Sequence, residues 1–366
     1  MQSKGGSIVF NIVILKGSIR LKFMCNSFKY QSIFYAWVFV LCFLTGCKED
    51  GEYRRPTPEV APVSIDIIRM EQLICNPTDS RTPAQLMELY PVFSDVFFHQ
   101  IIYPQNTASI ELDDLVSNFC SAPAIQHLID TTKAIFPNLD HLEKELGQAF
   151  GYFQHYFPNH QVPQVYTYVS EFGIGTFTID TEVLGIGLDF FLGSGYPYYD
   201  PAVFPNYMVQ VMTPEYISVN AIQALAQSLI EPTTAGNMLD QMIFNGKTHY
   251  IASRLLPGIP MHRLFLYTPE QMDWVENNEL QIWSYFLDLN YFYENDPRKF
   301  RKFVDPSPTS PGMPEEAPGR VANWIGYRIV EAYMNRHPEI TLPQLAAETD
   351  YQSIVDQSQY KPRRPG

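Results

Sequence analysis

Eight histidines and five cysteines are the residues of this 366-residue chain best suited to hold a metal or to act as a nucleophile. A zinc peptidase carries His-Glu-x-x-His on a helix, because two imidazoles four residues apart share a face and the glutamate between them activates a water. None of the eight histidines is followed by Glu, and none has a second histidine four residues on. His155 and His160 frame HYFPNH, which reads better as two surface imidazoles across a helix end than as a metal site. A serine hydrolase of the nucleophile-elbow type needs Gly-x-Ser-x-Gly, and the chain offers only Gly193-Ser194-Gly195. The dinucleotide fingerprint also fails, because the third glycine position after Gly185 and Gly187 is Phe190. Glycines in that strand-like run, VLGIGLDFFLGSGYPYY, read as a bulge or a close backbone approach. Residue types and spacing therefore point to no catalytic set, no metal site and no cofactor.

The cysteines carry another kind of information. KYQSIFYAWVFVLCFLTGCKED places Lys29 before an apolar run from Ile33 to Gly46, the layout of a secretory signal peptide. A run this short falls below the roughly 20 apolar residues that a spanning helix needs. Leu44-Thr45-Gly46-Cys47 resembles the lipobox of bacterial lipoproteins, so residues 1–46 are expected to be a leader and Cys47 the lipidated first residue of the mature chain. Met24 offers a second start, which would make residues 1–23 an upstream extension. Lys48, Glu49 and Asp50 resemble the signal that sends some Bacteroidota lipoproteins to the cell surface, although an acidic run also suits a plain solvated tether. Pro56, Pro58 and Pro62 stiffen that tether, assigned to residues 47–62. The expected location is the cell envelope, at the periplasmic or surface face of the outer membrane, held through the lipid on Cys47. Cys75 and Cys120 then remain, and they either pair in the oxidising compartment or stay as buried thiols.

The net charge is −14, and residues 1–46 contain five of the 25 basic residues and none of the 39 acidic ones. So acidic a mature chain repels phosphate backbones, which argues against nucleic acid as a partner. Hydrophobic side chains make up 46%, enough to bury a substantial core.

Residues 65–158 read as mainly helical. Thr82 is a natural N-cap with Pro83 at the first helical position, and Leu139, Leu142, Leu146, Phe150 and Phe153 recur at helical steps. The period then changes: QVYTYVSEF and IGTFTIDTEVLGIGLDFFL alternate and are rich in β-branched and aromatic residues, giving two or three strands near residues 163–192. Helices return with NAIQALAQSLIEP, NMLDQMIFNGKTHYIASRLLP and YTPEQMDWVENNELQIWSYFLDLNYF, the last started by Thr268, Pro269 and Gln271. DPSPTSPGMPEEAPGR must be an extended loop, followed by a helix through NWIGYRIVEAYMNR and a short helical pair. The fold class is α+β: a mainly helical single domain over residues 63–366 with one small sheet.

GIGLDFFLGSGYPYY and FPNYMVQVMTPEYI, followed in order by NMLDQMIFNGKTHYIASRLLP, YTPEQMDWVENNELQIWSYF, APGRVANWIGYRIVEAYM and a terminal YKP, resemble the gliding-motility lipoprotein GldB family of the Bacteroidota over about residues 60–362. The resemblance implies a non-catalytic lipoprotein that supports gliding and its associated secretion machinery through contacts with other envelope proteins. It also implies a layout like that of a zinc peptidase that has lost its metal, since SVNAIQALAQSLI has neither His nor Glu in the ligand positions and Asn245 precedes Gly246. In that layout Asp189, Asn245, Gly246 and Lys247 would line a vestigial groove. Two other readings stay open: a hydrolase with an unrecognised site around Asp189, Asn245 and Lys247, and a surface nutrient-binding lipoprotein whose YPYY tyrosines stack on sugar rings.

Overall fold

The computed structural model describes residues 56–76, 81–103, 110–233 and 236–363. The leader, Cys47 and Lys48 to Asp50 lie outside the described residues. Among the described residues no helix is long and apolar enough to cross a membrane.

Among the described residues four strands make one mixed sheet in the order β1-β2-β4-β3: β1 (Ile68–Arg69), β2 (Gln164–Tyr168), β3 (Thr176–Ile179) and β4 (Val183–Gly187). β1 and β4 run parallel to β2, whereas β3 folds back antiparallel on β4 and forms one edge. β1 falls in a stretch expected to be helical, because two residues are too few to show a strand period. The run after β4 was expected to continue as strand, but Leu188–Phe191 turns into a 3-10 helix with Asp189 buried inside it.

Alternation along the strands separates two apolar layers. Val165, Leu184 and Ile186 join the large core, whereas Tyr166, Tyr168 and Val183 join a second cluster with Phe93 and Phe97. Gly185 is the point of closest approach on that second face: a Cβ there would lie 2.4 Å from the Phe177 ring across the β3–β4 pair. The glycine thus admits an aromatic ring flat onto the sheet, the close backbone approach expected of it.

The second cluster is closed by α1 (Pro83–Leu89), α2 (Pro91–Val96) and α3 (Leu112–Ser121). Thr82 caps α1 with a full capping box to Gln85, and Pro91 interrupts what reads as one helix. A disulfide joins Cys75 to Cys120, with Cα atoms 5.3 Å apart, and so pins α3 to the segment after β1.

The large core is built by α4 (Pro123–Ile135), α5 (Asp140–Tyr156), α6 (Ile217–Ser228), α7 (Met238–Leu255), α8 (Pro269–Asn277), α9 (Glu279–Asp288), α10 (Pro297–Val304) and α11 (Val321–Arg336). α12 (Leu342–Ala347) and α13 (Tyr351–Ser358) finish the chain, α12 starting at a Thr341–Gln344 capping box. The proline-rich run from Asp305 to Arg320 contains no helix or strand. Val63 donates its N–H to Gly147 O at 2.9 Å, and Val60 and Val63 pack against the large core, so the last residues of the expected tether are docked.

α7 and α11 cross in close backbone approach at Gly246 and Gly326. A Cβ on Gly246 would lie 2.4 Å from the Gly326 carbonyl, and one on Gly326 would lie 2.0 Å from the Met242 oxygen. Around this crossing sit other residues of the family-like stretches. Glu279, buried, accepts from Trp324 Nε1 at 3.1 Å and, on its other oxygen, from Tyr360 Oη at 2.7 Å and Arg363 N at 2.9 Å, which fastens the terminal YKP segment.

Candidate functional site

α6 is apolar on the side that meets the sheet and the core, with Val219, Ala221, Ile222, Leu225 and Ala226 buried. Asn220, Gln223 and Gln227, at steps of three and four, fall together on another face. α7 repeats the arrangement with Gln241, Asn245 and Thr248, preceded by a capping box in which Asn237 and Asp240 exchange hydrogen bonds. The two polar stripes face a groove of about 530 Å³, closed at the sheet by Gly175 and Thr176 and on the far side by Arg320 and Asn323.

Six of the groove's side chains are carboxamides, and several are linked into chains. Gln241 Nε2 donates to Asn245 Oδ1 at 3.0 Å, Asn245 Nδ2 to Asn323 Oδ1 at 2.8 Å, and Asn323 Nδ2 to the Val304 carbonyl at 3.0 Å. Gln223 Nε2 donates to the Leu264 carbonyl and lies 3.3 Å from His249 Nδ1. Among the described residues the Gln227 side chain has no hydrogen-bond partner. Burial, with a smaller contribution from nearby Arg320, holds the His249 imidazole down at about 3, so it is neutral at any pH a cell envelope meets. Arg320 is fixed in place by its bond to the Leu266 carbonyl at 2.8 Å and by lying over the Tyr267 ring at 5.6 Å.

The sheet edge adds main-chain groups. Gly187 N donates to Gly175 O, so residues 175 and 187 form a hydrogen-bonded pair of the β3–β4 ladder. Alternation along an antiparallel pair then turns the N–H and C=O of Thr176 and Thr178 away from β4, toward the outside of the sheet.

The residues grouped from the sequence separate in space. Asn245 lines the groove. Gly246 meets Gly326 at the helix crossing. Lys247, fully buried, donates from Nζ to the carbonyls of Ala346 at 3.0 Å and Glu348 at 2.7 Å and lies over the Tyr351 ring, which ties the C-terminal helices to α7. Asp189, also fully buried, accepts on Oδ2 from Ser170 N at 3.0 Å and Phe172 N at 2.8 Å and thereby holds the β2–β3 loop. Burial pushes its carboxyl up to about 6, against the opposing pull of those two N–H groups. Asp189, Asn245 and Lys247 thus make no joint site, because each is committed to a different part of the fold. The groove residues not singled out in the sequence are the five amides other than Asn245: Asn220, Gln223, Gln227, Gln241 and Asn323. Their helical spacing is visible in the sequence, but Asn and Gln at such spacing carry no metal or acid–base chemistry that would mark them out.

Residues 53–362 match the family model described as gliding motility protein GldB, a lipoprotein family. The chain belongs to the GldB family. No curated protein and no solved structure matches this GldB-family chain. Membership makes it a gliding-motility-related lipoprotein of the cell envelope. The zinc-peptidase layout finds no support in these matches. Among the described residues no three His, Cys, Asp or Glu side chains come together in the way a metal ion needs.

Proposed function

We propose that this protein is a non-catalytic outer-membrane lipoprotein, anchored through Cys47, that supports gliding motility and the associated secretion machinery by holding a partner polypeptide in the amide-lined groove. The observation that carries the proposal is the convergence of six carboxamides from α6, α7 and α11 on one cleft. A carboxamide does not titrate, so it serves neither as general acid nor as general base. It does offer N–H donors and a carbonyl acceptor in one planar group, so it can pair with both the C=O and the N–H of a peptide unit. The outward N–H and C=O of Thr176 would add strand-like pairing to an extended segment, with affinity from the main chain and register from the amides.

The reading of the scaffold as a metal-free relative of zinc peptidases belongs to the same proposal. It is supported by Gln223 and Gln227, which stand one turn apart on the groove side of α6, where a metal site would need imidazoles. The hydrolase alternative is weaker, since its three proposed residues lie in separate environments.

A photo-cross-linking residue placed at Gln227 of the full-length protein tests the proposal in living cells. The expected result is a discrete light-dependent adduct that disappears in Thr176→Pro, which removes an outward N–H at the first residue of an edge strand, and persists in Thr176→Val. No adduct, or an adduct that the proline leaves intact, would overturn groove binding. Peptide cleavage by the purified protein that Gln223→Ala abolishes would replace it with the hydrolase reading.

A further inference from the structure

A second cavity, of about 650 Å³, opens beside the β2–β3 loop and is lined by aromatic rings and carboxylates with no lysine or arginine among them. His127 and Tyr198 meet edge-on with ring centroids 4.9 Å apart. Tyr196 is inclined at 54° to Tyr198 and at 57° to Phe172. Rings inclined to one another in the wall of one cavity form an aromatic cage in which a cation can lie within reach of more than one ring.

Glu171 and Asp200 supply formal negative charge to the same cavity. The N-terminal end of α4, whose Pro123 and Ala124 also line it, opposes them with about half a charge. The balance stays negative, on a chain whose net charge is already −14.

The loop that carries two of these residues is held under strain. Glu171 and Phe172 both have left-handed backbones, with φ of 54° and 62°. For a bulky residue such as Phe this is a costly conformation. The buried Asp189 carboxylate maintains it by accepting from the N–H groups on either side of Glu171. Strain maintained by the surrounding structure is characteristic of binding sites.

We infer that this cavity binds the cationic side chain, a lysine ammonium or an arginine guanidinium, of a partner polypeptide. Carboxylates at the cage favour a cation that has N–H groups to donate, which a quaternary ammonium lacks. The open rim favours a side chain over a free amine. Tyr198 is 62% exposed and Val203 60%, whereas a small-molecule site encloses most of its ligand. A partner bringing the side chain would supply the missing cover itself. The inference stands apart from the amide groove and holds whether or not that groove binds a peptide.

Calorimetric titration of the purified mature chain tests it with short glycine-flanked peptides that contain lysine or arginine, their norleucine or citrulline counterparts, free propylamine and guanidinium, and neutral oligosaccharides. The expected result is saturable binding of a basic peptide at least tenfold tighter than its neutral counterpart, weakening as salt is raised. Tyr198→Ala and Asp200→Asn should each weaken it by about tenfold while leaving the circular dichroism spectrum unchanged. Equal binding of the neutral counterpart, preference for an oligosaccharide, free amines binding as tightly as the peptides, or no saturable binding of any basic peptide would each overturn the inference.

Discussion

Lys247 and Asn245 lie two positions apart on α7, which turns their side chains about 200° from one another. They therefore cannot serve one cleft: Asn245 faces the amide groove, and Lys247 faces the C-terminal helices. Burial brings the Lys247 ammonium down to about 8, with Glu348 and Glu231 opposing the shift. A group whose folded value lies below its unfolded value of 10.5 contributes stability that is present above 10.5 and lost as the pH falls through 8. Urea unfolding of the wild type should therefore show stability rising between about pH 8 and 10.5, and Lys247→Met should lose that rise. The same variant leaves the Ala346 and Glu348 carbonyls without their donor and should cost about 1–3 kcal/mol at neutral pH. Residue type alone made Lys247 look like chemistry. Its helical phase relative to Asn245 was legible in the sequence, but the location of the groove was not.

Among elements, those with strong local signals were legible. The Thr82 N-cap and the Thr268 capping box form as their sequences imply, and the proline-rich loop stays without regular structure. The run from Pro269 to Asp288 reads as one helix but breaks at Asn278, whose side chain donates to the Trp274 carbonyl at 2.7 Å, a local bond that competes with the helix ladder. Contacts between distant segments were not legible at all, and the α7–α11 crossing is the clearest of them. Gly326→Ala forces a methyl group against the Met242 backbone and should cost about 1–3 kcal/mol or more by urea unfolding. Gly246→Ala opens the same crossing, so the double variant should cost less than the two singles together. The Cys75–Cys120 bridge belongs to this scale too, since sequence left its two thiols either paired or free. With a separation of 45 residues, the Cys75→Ala/Cys120→Ala double variant should lose about 4 kcal/mol, measured by the same unfolding.

For the whole molecule, the proposed contact role rests on an acidic domain with a lipobox-like cysteine ahead of it and a polar cleft within it. Cys47→Ala should yield a chain that incorporates no labelled palmitate and is released into the soluble fraction; labelling that persists would place the acyl chain elsewhere. The fold class was legible from the change between helical and strand periods, and the family because several long stretches match in fixed order. The cleft was not, because its six amides come from three helices, the last of them 78 residues away at the Asn245–Asn323 bond, and only the fold brings them together. The most direct measurement is colony spreading of cells in which the chromosomal gene carries Thr176→Pro or the Gln223→Ala/Gln227→Ala pair, with protein level and lipidation checked alongside. Spreading should be lost in both at normal protein levels and retained in Thr176→Val. Normal spreading of the proline and alanine variants would contradict the assignment of the amide groove as the working surface of this lipoprotein.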